Sequence, residues 1–192
     1  LFSDRWTGGA ALKIIYSKLA DYSSVALAVD LGLNYFDEEQ DLSASLSVQN
    51  IGTQVKAYDD GMKTHLPFTL TLGFSKGFDH LPVRIHAAFT DVTRWKSNYY
   101  ALPDADSKKV KFGSKLLNHF VVGLDILPTN YLYIAAGYNF RRAYELKASG
   151  SSKMAGLSFG AGIDLKGFKF GLSYARYHLA ASSIMGSLAY SF

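Results

Sequence analysis

Large apolar residues alternate with small or polar ones along most of this chain. Between Val25 and Tyr35 every second residue is Val, Leu or Tyr, and the residues between them are Ala, Asp, Gly and Asn. A period of two is typical of a β-strand whose two faces meet different surroundings. The pattern recurs, least regularly in the first case, in nine further segments: 11–19, 42–48, 68–74, 83–89, 120–126, 132–140, 155–165, 168–174 and 184–192. No segment keeps helical spacing for three turns, so we predict an all-β fold.

The connections between these segments are of two kinds. The short connections are 37–40, 76–81, 127–130 and 166–167. The longer connections are 50–66, 91–114, 141–153 and 177–183. Because short and long connections take turns, an antiparallel meander would carry the short turns on one rim and the long loops on the other, as outer-membrane barrels do. Several segments alternate for nine residues or more, close to the roughly 9–11 residues of a membrane-crossing strand.

The less apolar face of the predicted strands consists mostly of Ser, Gly, Ala and Thr. It carries isolated charges, among them Asp30, Arg84, Asp125, Asp164 and Lys169. Small residues suit the crowded interior of a barrel, and the aromatic residues gather near the strand ends, as they do at membrane interfaces. A transmembrane antiparallel β-barrel is therefore the favoured interpretation. A soluble sandwich or a lipocalin-like barrel is the alternative, because half-buried strands alternate there too.

Composition excludes several other classes of protein. The 192 residues suit a single domain, and a hydrophobic content of 48% excludes intrinsic disorder. Charged residues make up 19%, below the roughly 25% of ordinary soluble domains. There is no cysteine, which excludes disulfides, thiol chemistry and Cys-ligated metals. The sequence contains no run of about 18 apolar residues, the length that would predict a transmembrane helix. The chain opens on Leu1 without a visible signal peptide, so we expect a mature form or a fragment.

Short motifs stand at the strand ends and in the connections. Two of them are Arg141-Arg142-x-x-Glu145-Leu146 and Tyr177-His178-Leu179-Ala180. Others are Asp21-Tyr22-Ser23-Ser24, Ala28-Val29-Asp30-Leu31-Gly32, Val48-Gln49-Asn50-Ile51-Gly52, Leu66-Pro67-Phe68, Asp91-Val92-Thr93-Arg94-Trp95 and Gly137-Tyr138-Asn139-Phe140. Together they resemble the PorV/PorQ family of FadL-like outer-membrane barrels of the type IX secretion system. The first two motifs are most similar to the PorQ branch of that family.

This resemblance implies a barrel of about fourteen strands, without catalytic activity or a cofactor. Ten strands could close alone, but the early hairpins of the family are absent here, so we expect N-terminal strands to be missing. The resemblance also implies a place in the outer membrane beside lipopolysaccharide, in the cargo attachment complex with PorU-, PorV- and PorZ-like proteins. There the barrel would anchor a PorZ-like surface partner. The alternative function is a FadL-like transporter of hydrophobic small molecules.

Sequence patterns for catalysis or metal binding are weak. Gly156-Leu157-Ser158-Phe159-Gly160 matches a nucleophile elbow, but that motif needs a strand-to-helix turn and Ser158 lies within a predicted strand. His86 and His119 fall on the predicted polar face without the converging ligands of a zinc site. We therefore expect no enzyme, no metal and no cofactor. No basic-aromatic strand face predicts nucleic-acid binding.

The longer connections are rich in Lys and Arg, which would attract lipopolysaccharide phosphates or an acidic partner. Aromatic residues and Arg are also the usual anchors of protein interfaces. We therefore predict partner binding by Arg94, Trp95, Tyr99, Tyr100, Arg141, Arg142, Glu145, Tyr177 and His178. A solvated loop surface, with the aromatic residues anchored at the membrane interface, remains the alternative.

Overall fold

The structure is a computed structural model that describes residues 4–19, 22–57, 65–95, 111–147, 153–176 and 182–190. These residues form one antiparallel sheet of ten strands, in which each strand pairs with the next along the chain. The strands are β1 Trp6–Leu19, β2 Tyr22–Asp37, β3 Leu42–Lys56, β4 Thr69–Phe78, β5 Leu81–Phe89, β6 Phe120–Thr129, β7 Leu132–Asn139, β8 Leu157–Leu165, β9 Phe168–Arg176 and β10 Ser182–Tyr190. The predicted all-β class and its ten strands are confirmed.

The strand connections gather by length on the two rims of the sheet. Connections of two to four residues join β2 to β3, β4 to β5, β6 to β7 and β8 to β9 on one side, which we call the short-turn rim. The other side, the long-loop rim, carries the connections 57–68, 90–119, 140–156 and the shorter 177–181. β1 and β2 are also joined on the long-loop rim, through residues 20–21 alone. The predicted alternation of lengths therefore begins only after β2.

Two short α-helices stand on the long-loop rim, where the sequence predicted loops. They are α1 Phe112–Asn118 and α2 Phe140–Lys147, and a 3-10 helix Lys153–Gly156 follows α2. The prediction of loops over 91–114 and 141–153 was wrong in these parts. Helices of seven and eight residues make about two turns, too few for a helical period to be detected in the sequence.

Strand β3 continues beyond its predicted end and contains a β-bulge there. Val29 pairs with Ile51 and Leu31 pairs with Val48, so Asp30 faces two residues of β3. One of these is Asn50, whose φ of 59° lies in the left-handed region that Asn tolerates. The extra residue shifts the side-chain alternation by one, which is why the regular alternation in the sequence stops at Val48. The strand instead continues to Lys56.

The two faces of the sheet differ in side-chain size. Residues that pair across neighbouring strands lie on the same face of the sheet. The register therefore defines an apolar face, which contains Leu27, Leu31 and Leu33 of β2, and a small-residue face, which contains Ala26 and Ala28. The three leucines are exposed whereas the two alanines are buried. The described residues contain no second sheet over the apolar face, as a sandwich would require. The chain exposes 13617 Å², against about 9,000 Å² for a soluble monomer of this mass.

The sheet has two free edges among the described residues. β1 pairs only with β2, β10 pairs only with β9, and the two edge strands do not pair with each other. Leu12 and Ile14 of β1 and Ile184 and Leu188 of β10 are among the most exposed apolar side chains. No helix in the described ranges is both long and apolar enough to span a membrane.

Candidate binding surface at the long-loop rim

Six charged side chains of the strands lie on the small-residue face and have a partner there: Lys13, Asp30, Arg84, Asp125, Asp164 and Lys169. The pairs with their N–O distances are Lys13–Asp30 at 2.7 Å, Arg84–Asp41 at 3.0 Å, His86–Asp125 at 2.7 Å and Lys169–Asp164 at 3.3 Å. On the apolar face of the described strands, charged residues occur only near the strand ends: Lys18, Asp37, Lys56, Lys76 and Arg176. The apolar face therefore has an uncharged central band.

This band has the height of a bilayer core. The uncharged apolar-face residues of β2 run from Val25 to Tyr35. At about 3.3 Å per residue and a strand tilt of about 45°, they rise about 23 Å, close to the roughly 25 Å apolar band of outer-membrane barrels. Aromatic residues mark both ends of the band, with Trp6 packed on Tyr35 at the short-turn rim and Trp95 packed on Phe89 at the long-loop rim.

At the long-loop rim, an ionic cluster joins the segment after β5 to helix α2. The Arg141 guanidinium donates to Asp91 Oδ2 at 3.2 Å and to Glu145 Oε1 at 2.8 Å. Arg94 lies 3.8 Å from Asp91 Oδ1. The Asp91 side chain is only 12% exposed, so its negative charge needs these cations. The cluster fixes α2 against the end of β5.

An aromatic cluster lies next to these ion pairs. The Trp95 ring packs on Phe89, Phe112 and His119 with centroid distances of 6.1, 6.1 and 4.5 Å. Trp95 Nε1 donates to the Val92 carbonyl at 2.6 Å, which fixes the indole. His119 is fully buried, and its Nδ1 donates to the Thr90 carbonyl at 2.8 Å. His119 lies just before β6, as the C-cap of α1, and packs in this cluster and not on the strand face predicted for it.

The structure therefore brings together the predicted binding residues that it describes. Arg94, Trp95, Arg141 and Glu145 lie in or beside the two clusters, and the Arg142 backbone N–H donates to Asn139 Oδ1 at 2.9 Å at the start of α2. Arg141 binds both Glu145 and Asp91, so this arginine positions α2. The other predicted residues, Tyr99, Tyr100, Tyr177 and His178, lie outside the described residues.

Sequence reasoning missed the partners that organise this rim. Phe89 and Phe112 were not singled out, and Asp91 was named only within a motif. The contacts of Asp91 with Arg141 and of Phe112 with Trp95 join segments that lie far apart in the chain. The Arg-x-x-x-Glu spacing of Arg141 and Glu145, one helical turn apart, was the available signal for α2.

The short-turn rim carries a separate polar cluster. Arg5 donates to the buried Asp37 carboxylate at 3.1 Å and to the Tyr35 hydroxyl at 3.5 Å. The hydrogen bond with Tyr35, followed by the charge of Asp37, raises the pKa of Arg5 above its ordinary value. Arg5, a cation like any arginine at physiological pH, lies at the level where Trp6 and Tyr35 end the apolar band.

The small-residue face carries polar concavities. One has a volume of about 420 Å³ and is lined mainly by small residues, with Ser45, Ser75 and His86 at its wall, and His86 Nε2 lies 2.7 Å from Asp125 Oδ2. Ser158 lies in β8 opposite Gly137, not at a strand-to-helix turn. No group of three metal-ligating side chains converges within the described ranges.

No protein-family model matches the chain, and no curated protein matches it with significant similarity.

Proposed function

We propose that this chain forms part of a transmembrane β-barrel of the bacterial outer membrane and acts, without catalysis, as an anchor for a surface partner in type IX protein secretion. The observation that carries the membrane assignment is the uncharged central band of the apolar face. In water, exposed leucines and phenylalanines over so much of a sheet would drive aggregation. In lipid the same side chains are solvated by acyl chains.

The ion pairs on the small-residue face support the same orientation. Charges such as Lys13 and Asp30 would be costly on a lipid-facing surface, and they lie instead on the face that would line the interior of a barrel. The buried Ala26 and Ala28 and the exposed Leu27 fit this orientation. The apolar face then contacts lipid and the small-residue face is enclosed.

The free edges of β1 and β10 support a barrel larger than the ten strands. Unpaired backbone N–H and C=O groups in lipid each cost several kcal/mol. Further strands would pair with both edges and close the barrel, in line with about fourteen strands in the PorV/PorQ family, which the sequence resembles.

The anchoring role rests on that resemblance and on the contacts that hold the two helices at the long-loop rim. Asp91 pairs with Arg141 of α2, and the aromatic cluster packs on α1, so both helices are attached next to the end of β5. Arg94 and Arg142 are the described cations that we propose to contact a PorZ-like partner, beside PorU- and PorV-like proteins and lipopolysaccharide. Docking on pre-ordered residues costs less conformational entropy than docking on free loops.

Co-purification tests this proposal. An affinity-tagged full chain is extracted with detergent from outer membranes, and the bound proteins are identified by mass spectrometry. The double variant Arg94→Gln/Arg142→Gln removes two charges at the long-loop rim and should reduce the recovered partner by about tenfold. The control Lys166→Gln removes an exposed charge in the turn between β8 and β9 and should leave recovery unchanged.

The remaining outcomes separate the parts of the proposal. A partner retained by the double variant excludes Arg94 and Arg142 from the contact. Recovery of hydrophobic small molecules instead of any protein would support the FadL-like transporter. A chain found in the soluble fraction would contradict the membrane assignment itself.

A further inference from the structure

Helix α1 turns its apolar side chains outward. Phe112 is 72% exposed, Leu117 is 52% exposed and Leu116 is 37% exposed, whereas Asn118 is buried. A surface helix of a water-soluble protein has the opposite arrangement, with its apolar stripe toward the protein. The outer side of α1 is therefore apolar.

The exposed side of α1 continues the apolar face of the sheet. Phe112 stacks on Trp95 with an interplanar angle of 15°, and Trp95 packs on Phe89. Phe89 pairs in register with Leu72 and Phe120, both on the apolar face. A continuous apolar surface thus extends from β4 and β5 through Trp95 to α1.

The charge of α1 is cationic. Lys111 is its exposed N-cap residue, Lys115 lies in its last turn, and the helix contains no acidic residue. The combination of exposed Phe and Leu side chains with flanking lysines is typical of helices that lie in the interfacial layer of a membrane. Lys115 Nζ donates to the Trp95 carbonyl at 3.5 Å, whereas anionic lipid phosphates are the chemical complement of the exposed Lys111.

We propose that α1 is an interfacial helix, seated in the lipid leaflet at the long-loop rim. Phe112, Leu116 and Leu117 contact the upper acyl region, and Lys111 contacts the phosphate layer. Together with Trp95, α1 sets the depth of the barrel on this side. This inference rests on the membrane assignment proposed above.

The two tryptophans of the chain provide a depth measurement, because Trp6 and Trp95 lie at opposite rims. Trp6→Phe leaves Trp95 as the only indole, and Trp95→Phe leaves Trp6. Each variant of the full chain is inserted into phosphatidylcholine vesicles that carry bromine either near the headgroup end or near the terminal end of the acyl chains. We expect both indoles to be quenched, and more strongly by the shallow bromines.

The outcomes distinguish this inference from the membrane assignment. If Trp6 is quenched and Trp95 is not, the barrel is inserted but α1 is not in the lipid, which means that water or protein covers it. If neither is quenched, the membrane assignment fails. Leu117→Ser in the Trp95-only chain should lower shallow quenching about twofold because α1 loses apolar area. The control Leu165→Ser, equally exposed at the short-turn rim, should leave Trp95 quenching unchanged; equal effects would contradict the inference.

Discussion

Individual side chains show which surroundings each face of the sheet meets. Lys13, Arg84, His86 and Lys169 each find a carboxylate partner on the small-residue face. On the apolar face of the described strands, charged residues occur only near the strand ends. The size of a substitution effect should therefore depend on the face and not on the strand.

Leu72 and Thr71 are neighbours in β4 on opposite faces, so they test this dependence at one depth. Leu72→Arg should lower the free energy of unfolding in lipid by about 2–4 kcal/mol, because the guanidinium enters the acyl region. Thr71→Arg should cost much less, since its side chain lies on the polar face. A folding titration into lipid vesicles measures both, and equal costs would contradict the face assignment.

Gly77 allows an ion pair to cross the sheet. The Arg84 guanidinium bonds both oxygens of Asp41 at 3.0 and 3.1 Å. A Cβ on Gly77 would lie 1.7 Å from Asp41 Oδ2. Gly77→Ala should therefore displace the Asp41 carboxylate and cost about 1–3 kcal/mol, measured by the same titration.

Gly32→Ala is the matched control in the interior of β2. A Cβ at Gly32 meets nothing within 4 Å, so this change should be neutral or stabilising by about 0.5 kcal/mol. If Gly77→Ala behaves like Gly32→Ala, the carboxylate moves freely and the ion pair with Arg84 contributes little.

At the scale of elements, the two helices are attached to the sheet in different ways. α2 is joined to the end of β5 by the Asp91–Arg141 pair. α1 is attached through aromatic packing around Trp95 and His119. The position of α2 should therefore depend on charge, and that of α1 on apolar area.

A double-mutant cycle with Asp91→Asn and Arg141→Gln tests the attachment of α2. Asn tolerates the φ of 53° at residue 91, so the change mainly removes charge. We expect a coupling energy of about 1 kcal/mol for this half-buried pair, measured as the opening free energy of α2 amides by hydrogen exchange. A double-mutant cycle on Asp164 and Lys169, which are about half exposed, should give a smaller coupling energy. A larger coupling energy for this exposed pair would contradict an electrostatic attachment of α2.

At the scale of the whole molecule, the open edges decide how the sheet is completed. Because the chain has no cysteine, introduced cysteines report strand neighbours directly. Phe170→Cys with Leu188→Cys places thiols at register partners of β9 and β10 and should cross-link. Leu12→Cys combined in turn with Ile184→Cys, Gly186→Cys or Leu188→Cys should not cross-link within one chain in the membrane. A β1–β10 cross-link would mean that ten strands close alone.

The alternation of residues alone predicted the ten strands and the two faces of the sheet. Strand side chains point to opposite faces at every step, so a local pattern is enough to indicate both. The same locality explains the errors, since the bulge at Asn50 shifts the pattern by one residue and α1 and α2 are too short to establish a helical period.

Contacts between distant residues were decided by the tertiary structure. Arg84 reaches Asp41 across β4, and Arg141 reaches Asp91 from another connection. The carboxylate that each of these arginines contacts depends on strand register and on the space above residues such as Gly77. No local sequence pattern encodes either of these. The sequence by itself determined where strands form and which face is apolar, because both follow from backbone geometry at each residue. The attachment of the two helices, the ion pairs and the outward side of α1 required the folded sheet, because they arise only where distant segments meet.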